Sequence, residues 1–207
     1  MSSEKKMKVI FLGESNVGKS SLIRRLGEDK FDADYDFENR RSRKGITEVT
    51  VSGSIFRLWD TQGEEQFQSL PPKFFKNASA CVLAYDVSSK TSFNGVKAWR
   101  EELERRAVYM KDGSVTVILA ANKSDLQVQV DENMVKQYAL DNGVILLKTS
   151  AKTGSNCSTL LDTIARASRK NRHKKSVTSK PAKVQSSTDS SSSSSVGDGE
   201  NACCVIS

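Results

Sequence analysis

The sequence predicts an α/β domain built on a mostly parallel six-stranded sheet, with one antiparallel edge strand and helices on both faces. Three observations point there. Short apolar runs alternate with longer stretches of helical spacing, the rhythm of βαβ units. The runs are apolar throughout, as parallel strands covered on both faces must be. Ser52-Gly53, between Thr50-Val51 and Ile55-Phe56, forms a tight hairpin turn, so one edge strand runs antiparallel.

In order, Val9–Leu12, Ile55–Trp59, Cys81–Tyr85, Val115–Ala121 and Val144–Leu147 read as strands. Helical spacing covers Lys19–Leu26, Ser92–Ala107, Glu132–Leu140 and Ser158–Ser168, the second through Phe93, Val96, Trp99 and Leu103. Apolar residues make up 37% of the 207, enough to bury a core, which excludes a wholly disordered or fibrous chain. No window approaches the ~18 uninterrupted apolar residues of a membrane span, and no signal-peptide-like stretch follows Met1. With four cysteines and no such stretch, a reduced, cytosolic chain without disulfides is expected.

From residue 166 onward the composition changes. Arg166, Arg169, Lys170, Arg172, Lys174, Lys175, Lys180 and Lys183 face only Asp189, Asp198 and Glu200, so this tail carries +5 of the formal +7. The nearly balanced remainder argues against a nucleic-acid-binding domain. Eight of residues 186 to 195 are serine, a segment with too little apolar surface to order itself. The expected division is a nucleotide-binding domain over 1–172 and a disordered basic and serine-rich tail over 173–207.

Gly13-Glu14-Ser15-Asn16-Val17-Gly18-Lys19-Ser20 is a complete G-x-x-x-x-G-K-S directly after the first strand and opening the first helix, the context this motif requires. Its glycines let successive backbone N–H groups turn inward, and the helix N-terminus adds partial positive charge for phosphate. Lys19 would neutralise β- and γ-oxygens and Ser20 would ligate Mg²⁺, with Ser15, Asn16, Val17 and Ser21 alongside them at the nucleotide. Asn122-Lys123-Ser124-Asp125 closes a later strand, at the end where open α/β sheets bind ligands. The acceptor-only carboxylate of Asp125 matches guanine's ring N–H and exocyclic amine, a pair adenine does not present. A P-loop kinase or ATPase is thereby disfavoured. Ser150-Ala151-Lys152, after the last strand, would close over the base.

With these elements in order and Asp60-Thr61-x-Gly63 between the first two, the chain resembles the small GTPases of the Ras superfamily over roughly residues 7 to 170. It leans to the Rab branch through Gly13-Glu14-Ser15, Trp59 before Asp60, Phe74-Phe75-Lys76-Asn77-Ala78, Tyr85-Asp86-Val87, and Ser92-Phe93 ahead of Trp99. The resemblance implies a P-loop GTPase fold, GTP/GDP and Mg²⁺ as cofactors, Phe31 packed against guanine, Asp60 holding Mg²⁺ through water, and the Gly63 N–H sensing the γ-phosphate. It also implies a monomer that meets effectors, exchange factors and GTPase-activating proteins. Phe31 also reads as a core aromatic, and Trp59, Phe74 and Trp99 as packing residues, the first two also as part of an effector surface. Cys81 and Cys157 read as buried packing residues, and His173, in the basic run, as no catalytic base.

Two departures fall on the switch machinery. Family members carry a glutamine that orients the attacking water; Glu64 stands there in Asp60-Thr61-Gln62-Gly63-Glu64-Glu65. A carboxylate cannot donate that hydrogen bond, and pointing inward at about 5 Å it would repel the γ-phosphate by about 3 kcal/mol at an effective dielectric of about 20. Slow hydrolysis follows, unless Gln62 substitutes. The family's first-switch threonine has no counterpart: no threonine occurs between residues 22 and 46, and Thr47 should lie in a strand. The loop instead runs Asp32, Asp34, Asp36, Glu38 and then Arg40, Arg41, Arg43, Lys44, either a solvated loop or a rewired partner surface.

Cys203-Cys204-Val205-Ile206-Ser207 ends the sequence. Cys204 opens a C-a-a-X of the type read as farnesyl, while the tandem cysteines also resemble Rab tails that receive two geranylgeranyl groups. One lipid anchors only marginally, and each Lys/Arg near an anionic leaflet adds about 1 kcal/mol. The expected location is the cytoplasmic face of intracellular membranes, with a cytosolic pool. Two readings stay open: a membrane-anchored switch of vesicle traffic that hydrolyses GTP slowly, and a nucleotide-binding interaction module that no longer cycles.

Overall fold

A computed structural model describes residues 6–32, 45–61, 70–110, 115–166 and 205–206. Strand β1 is Met7–Leu12, β2 Ile46–Val51, β3 Ser54–Asp60, β4 Ala78–Asp86, β5 Thr116–Asn122 and β6 Ile145–Lys148. They lie side by side in the order β2-β3-β1-β4-β5-β6. Every pairing among them is parallel except β2 with β3. This is the six-stranded sheet with one antiparallel edge that the sequence predicts. The β2–β3 hairpin turns through Ser52 at φ 47° and Gly53 at φ 71°, the two positive values that a turn matching the strand twist demands. Thr47 sits within β2 opposite Leu58, in a strand as expected.

Helix α1 is Lys19–Glu28, α2 Pro72–Phe75, α3 Lys90–Arg105 and α4 Glu132–Asp141; α5 occupies 157–166. Two caps explain where the longer helices begin. The Ser89 hydroxyl accepts from the Ser92 N–H, and the Asp131 carboxylate from the N–H groups of Asn133 and Met134. Each satisfies donors that a bare helix start would leave orphaned. Capping starts α3 two residues ahead of the apolar spacing, and it ends at Arg105 before a 3₁₀ turn at Ala107–Tyr109. Helix α2 is a single turn, too short to register as periodicity.

Alternation along β1 feeds two cores, because successive strand side chains point to opposite faces. Ile10 and Leu12 join Phe75, Phe93, Trp99, Leu103, Leu119 and Val135 under α2, α3 and α4. Val9 and Phe11 join Leu22, Leu26, Phe56, Leu58, Leu160 and Ile164 under α1 and α5. Each fully buried Phe or Leu contributes roughly 1.5–3 kcal/mol. At the sheet's other edge a two-residue strand, β7, Val205–Ile206, pairs parallel with Leu146 and Leu147 of β6, taking up backbone groups that an edge strand leaves open. The expected boundary at 172 lies outside the described residues.

Candidate functional site

The strand order reverses at β1, which lies between β3 and β4, and ligand crevices in open α/β sheets form at such a point. The chain leaves β1 at Gly13, φ 141°, where a Cβ would overlap the carbonyl oxygen of Ala84 in β4. Asn16 adopts φ 63°, a left-handed conformation asparagine tolerates better than most residues. Gly18, φ 92°, forms the N-cap of α1, and a Cβ there would lie 2.5 Å from Asn122 Nδ2. No side chain caps this helix, and its N-terminus opens on the loop, where the helix dipole favours an anion. Val17 is buried and pins the loop, while Ser15 and Asn16 are exposed. Lys19, only 4% exposed, donates from Nζ to the carbonyls of Gly13 at 2.9 Å and Glu14 at 2.8 Å. Its ammonium therefore lies across the loop where a phosphate chain would be neutralised. Ser20, Ser21 and Phe31 line one shallow depression with Arg24, Lys30 and Asp32. Phe31 also packs against the core under α1, so both roles read from the sequence are compatible.

The base side is assembled around Asn122, 1% exposed. Its Nδ2 donates to the Val17 carbonyl at 2.8 Å, and its Oδ1 accepts from Thr149 Oγ1 at 3.4 Å and from the Ala151 N–H at 3.3 Å. One side chain thus ties the phosphate loop to the segment expected to cover the base. Asp125 is exposed, and the buried Ser150 hydroxyl donates to its Oδ1, orienting the carboxylate. Ser150 Oγ also accepts from the Thr153 N–H at 3.1 Å. Ala151 is buried and Lys152 exposed. Lys123 Nζ is 2.7 Å from Asp86 Oδ2. Burial would raise the Asp86 carboxyl, but hydrogen bonds from Lys123 and from the Ser88 hydroxyl and N–H outweigh it and hold the group below its ordinary value.

Asn122 thus joins the phosphate loop, which carries Lys19, to Ser150-Ala151 beside Asp125, and the two loop glycines pass so close to Ala84 and Asn122 that a Cβ at either would collide with them. A family model described as Ras family matches residues 8–170. Over 182 residues the chain is 38% identical to the Ypt/Rab-type GTPase YPT7 of Saccharomyces cerevisiae, covering 81% of this chain and 84% of the yeast protein. The chain belongs to the Ras family, as a Rab-like small GTPase.

A guanine nucleotide fits the site of a Rab-like GTPase built in this way. Mg²⁺ would supply charge neutralisation on the phosphates, and the hydroxyl of Ser20 with the carboxylate of Asp60 are hard oxygen donors suited to it. The backbone of Asp60 is held by its N–H on the Gly45 carbonyl at 2.8 Å. Next to it, the Thr61 hydroxyl donates to the Phe11 carbonyl at 3.0 Å, fixing where β3 leads into the switch. Gly63, Glu64 and Gln62, the charged loop from Asp34 to Lys44, the basic run with His173, and Cys203 and Cys204 lie outside the described residues.

Some contacts in and around this Rab-like site carry no signal in the linear sequence. Arg25 reaches from α1 to the Ala151 carbonyl at 2.8 Å and the Lys152 carbonyl at 3.0 Å, bracing the base loop against the phosphate-loop helix. Lys8 stands 3.8 Å above the Trp59 ring and donates to the Lys76 carbonyl at 3.3 Å, and burial brings its ammonium down to about 8. Trp59 meets Phe74 edge-on at 5.9 Å, joining the two aromatics read as packing or effector surface. Cys81 and Cys157 are buried and unpaired; burial raises both thiols, Cys157 to about 11, as suits packing residues rather than nucleophiles.

Proposed function

We propose that the chain is a guanine-nucleotide switch of vesicle traffic, anchored to the cytoplasmic face of intracellular membranes by lipid on Cys204 and Cys203, with slow intrinsic GTP hydrolysis. The observation that carries it is Asn122 joined at once to Val17 of the phosphate loop and to Thr149 and Ala151 beside Asp125. That arrangement serves a ligand with a phosphate chain at one end and guanine at the other. Mg²⁺ on Ser20 and Asp60, and the usual exchange, activating and effector proteins, belong to the same reading. The slow chemistry rests on Glu64 in place of the water-orienting glutamine.

The test is single-turnover hydrolysis by purified protein after its bound nucleotide is identified. Bound GDP and a rate well below the roughly 10⁻⁴ s⁻¹ of an unassisted Ras-type enzyme are expected, with Glu64→Gln at least tenfold faster. Turnover by the unaltered chain at the unassisted family rate would remove the role given to Glu64. A second reading, a module that binds nucleotide without cycling, is favoured by Glu64 together with the absence of threonine from residues 22 to 46; it predicts bound nucleotide and no turnover, even with Glu64→Gln.

No helix among the described residues is long and apolar enough to cross a membrane, and the tail supplies the attachment in this reading. The basic residues from Arg169 to Lys175 add electrostatic attraction to lipid that alone anchors weakly. Replacing all of Arg169, Lys170, Arg172, Lys174 and Lys175 by glutamine should release most of the protein from membranes to the soluble fraction of fractionated cells. An unchanged distribution would remove the run from the mechanism.

A further inference from the structure

Glu14 is a phosphate-loop residue whose identity the motif leaves open, and its carboxylate does not face the crevice. It reaches across to α3, where the Trp99 indole N–H donates to Oε1 at 3.0 Å. Trp99 is 5% exposed and packed in the core under α3, so this donor cannot follow the carboxylate elsewhere. One turn earlier, Gly95 leaves the space the carboxylate occupies: a Cβ there would lie 2.7 Å from Glu14 Cγ and 2.9 Å from Cδ. Glycine is the weakest helix former short of proline, yet it stands inside α3 at the one place where Glu14 passes. The backbone of the same residue is engaged at the site, since the Glu14 carbonyl accepts from Lys19 Nζ at 2.8 Å.

We infer that Trp99 and Gly95 are positioning residues for nucleotide retention: they hold the Glu14 carboxylate against α3 and away from the phosphate chain. A negative side chain one residue into a phosphate-binding loop opposes a polyanion. Seated on the indole, it instead becomes a tether joining the loop to α3 through a charge-assisted hydrogen bond, the stronger kind. Released, it adds repulsion near the phosphates and frees the carbonyl that steadies Lys19. This rests on the nucleotide-switch reading above, whose own failure would show as an unaltered chain that holds no guanine nucleotide.

The experiment is the release rate of a fluorescent GDP analogue, with thermal melting of each variant alongside. Trp99→Phe keeps the ring and removes the donor; release should be about tenfold faster, equivalent to 1.4 kcal/mol at 25 °C. Adding Glu14→Gln to it should bring release back to within about twofold of the unaltered chain, because a neutral amide does not repel phosphate. Gly95→Ala leaves the indole in place but sets a Cβ against the Glu14 side chain, so it should release nucleotide faster, while the gain in helix propensity offsets part of any fall in melting temperature. Should Trp99→Phe fail to fold, Gly95→Ala with and without Glu14→Gln decides the same point. Unaltered release in the folded variants, or no recovery with Glu14→Gln, would overturn the inference, the second by showing that lost packing rather than the carboxylate was responsible.

Discussion

Replacing Asn122 with alanine is expected to lower stability by about 3 kcal/mol and to speed guanine-nucleotide release by two orders of magnitude or more. The alanine removes the donor to the Val17 carbonyl and the acceptor for Thr149 Oγ1 and the Ala151 N–H. Each buried polar group left without a partner costs about 1–3 kcal/mol. The loss to binding follows because the two ends of the crevice are then no longer tied together. Asn122→Asp separates the contributions: both acceptor contacts survive, while the donor to Val17 becomes a carboxylate facing a carbonyl. Chemical denaturation and release of a fluorescent GDP analogue measure both. Release at the unaltered rate from Asn122→Ala would mean that the strut does not govern retention.

The second large effect is on nucleotide choice. Asp125→Asn should weaken GDP binding by about 10²–10⁴-fold, and xanthosine diphosphate should then compete better than GDP. Guanine presents two N–H donors on that edge, and an ionised carboxylate accepts both; hydrogen bonds to charged groups contribute roughly 1.5–3 kcal/mol each. An amide accepts one and offers a donor where guanine has no acceptor, whereas xanthine has a carbonyl in place of the amine. The Ser150 hydroxyl that donates to Oδ1 has an oxygen to meet in either variant, so the loop geometry should persist. Competition binding with the two diphosphates is the measurement. Undiminished preference for GDP would show that Asp125 does not read the base.

These effects rest on residues of unequal visibility in the sequence. Gly13 through Ser20 could be read as a phosphate site because the motif is contiguous and its context, strand before and helix after, is local. The hairpin at Ser52-Gly53 was legible for the same reason: the backbone angles a turn needs belong to the two residues that make it. Helix α2 was not, because one turn has no period. Asp125 is proposed as a base reader from its chemistry alone, but the sequence carries no sign that Asn122 also spans 105 positions to Val17. Nor does it signal that Arg25 on α1 holds the carbonyls of Ala151 and Lys152, since an arginine on a helix face ordinarily meets solvent or a neighbour one turn away.

By itself the sequence determined the fold class, the phosphate-loop motif, the carboxylate proposed to read guanine and the two substitutions that set this chain apart, Glu64 and the missing switch threonine. All depend on residue type at a local position: glycines that permit a turn, a carboxylate that only accepts, an amide donor replaced by a charge. Only the tertiary structure decided how the pieces are joined, through Asn122, Arg25 and the Glu14–Trp99 contact. Such joints form between segments brought together by sheet order and by burial of the two cores. Neither end of a long-range hydrogen bond has a spacing or composition from which its partner can be read.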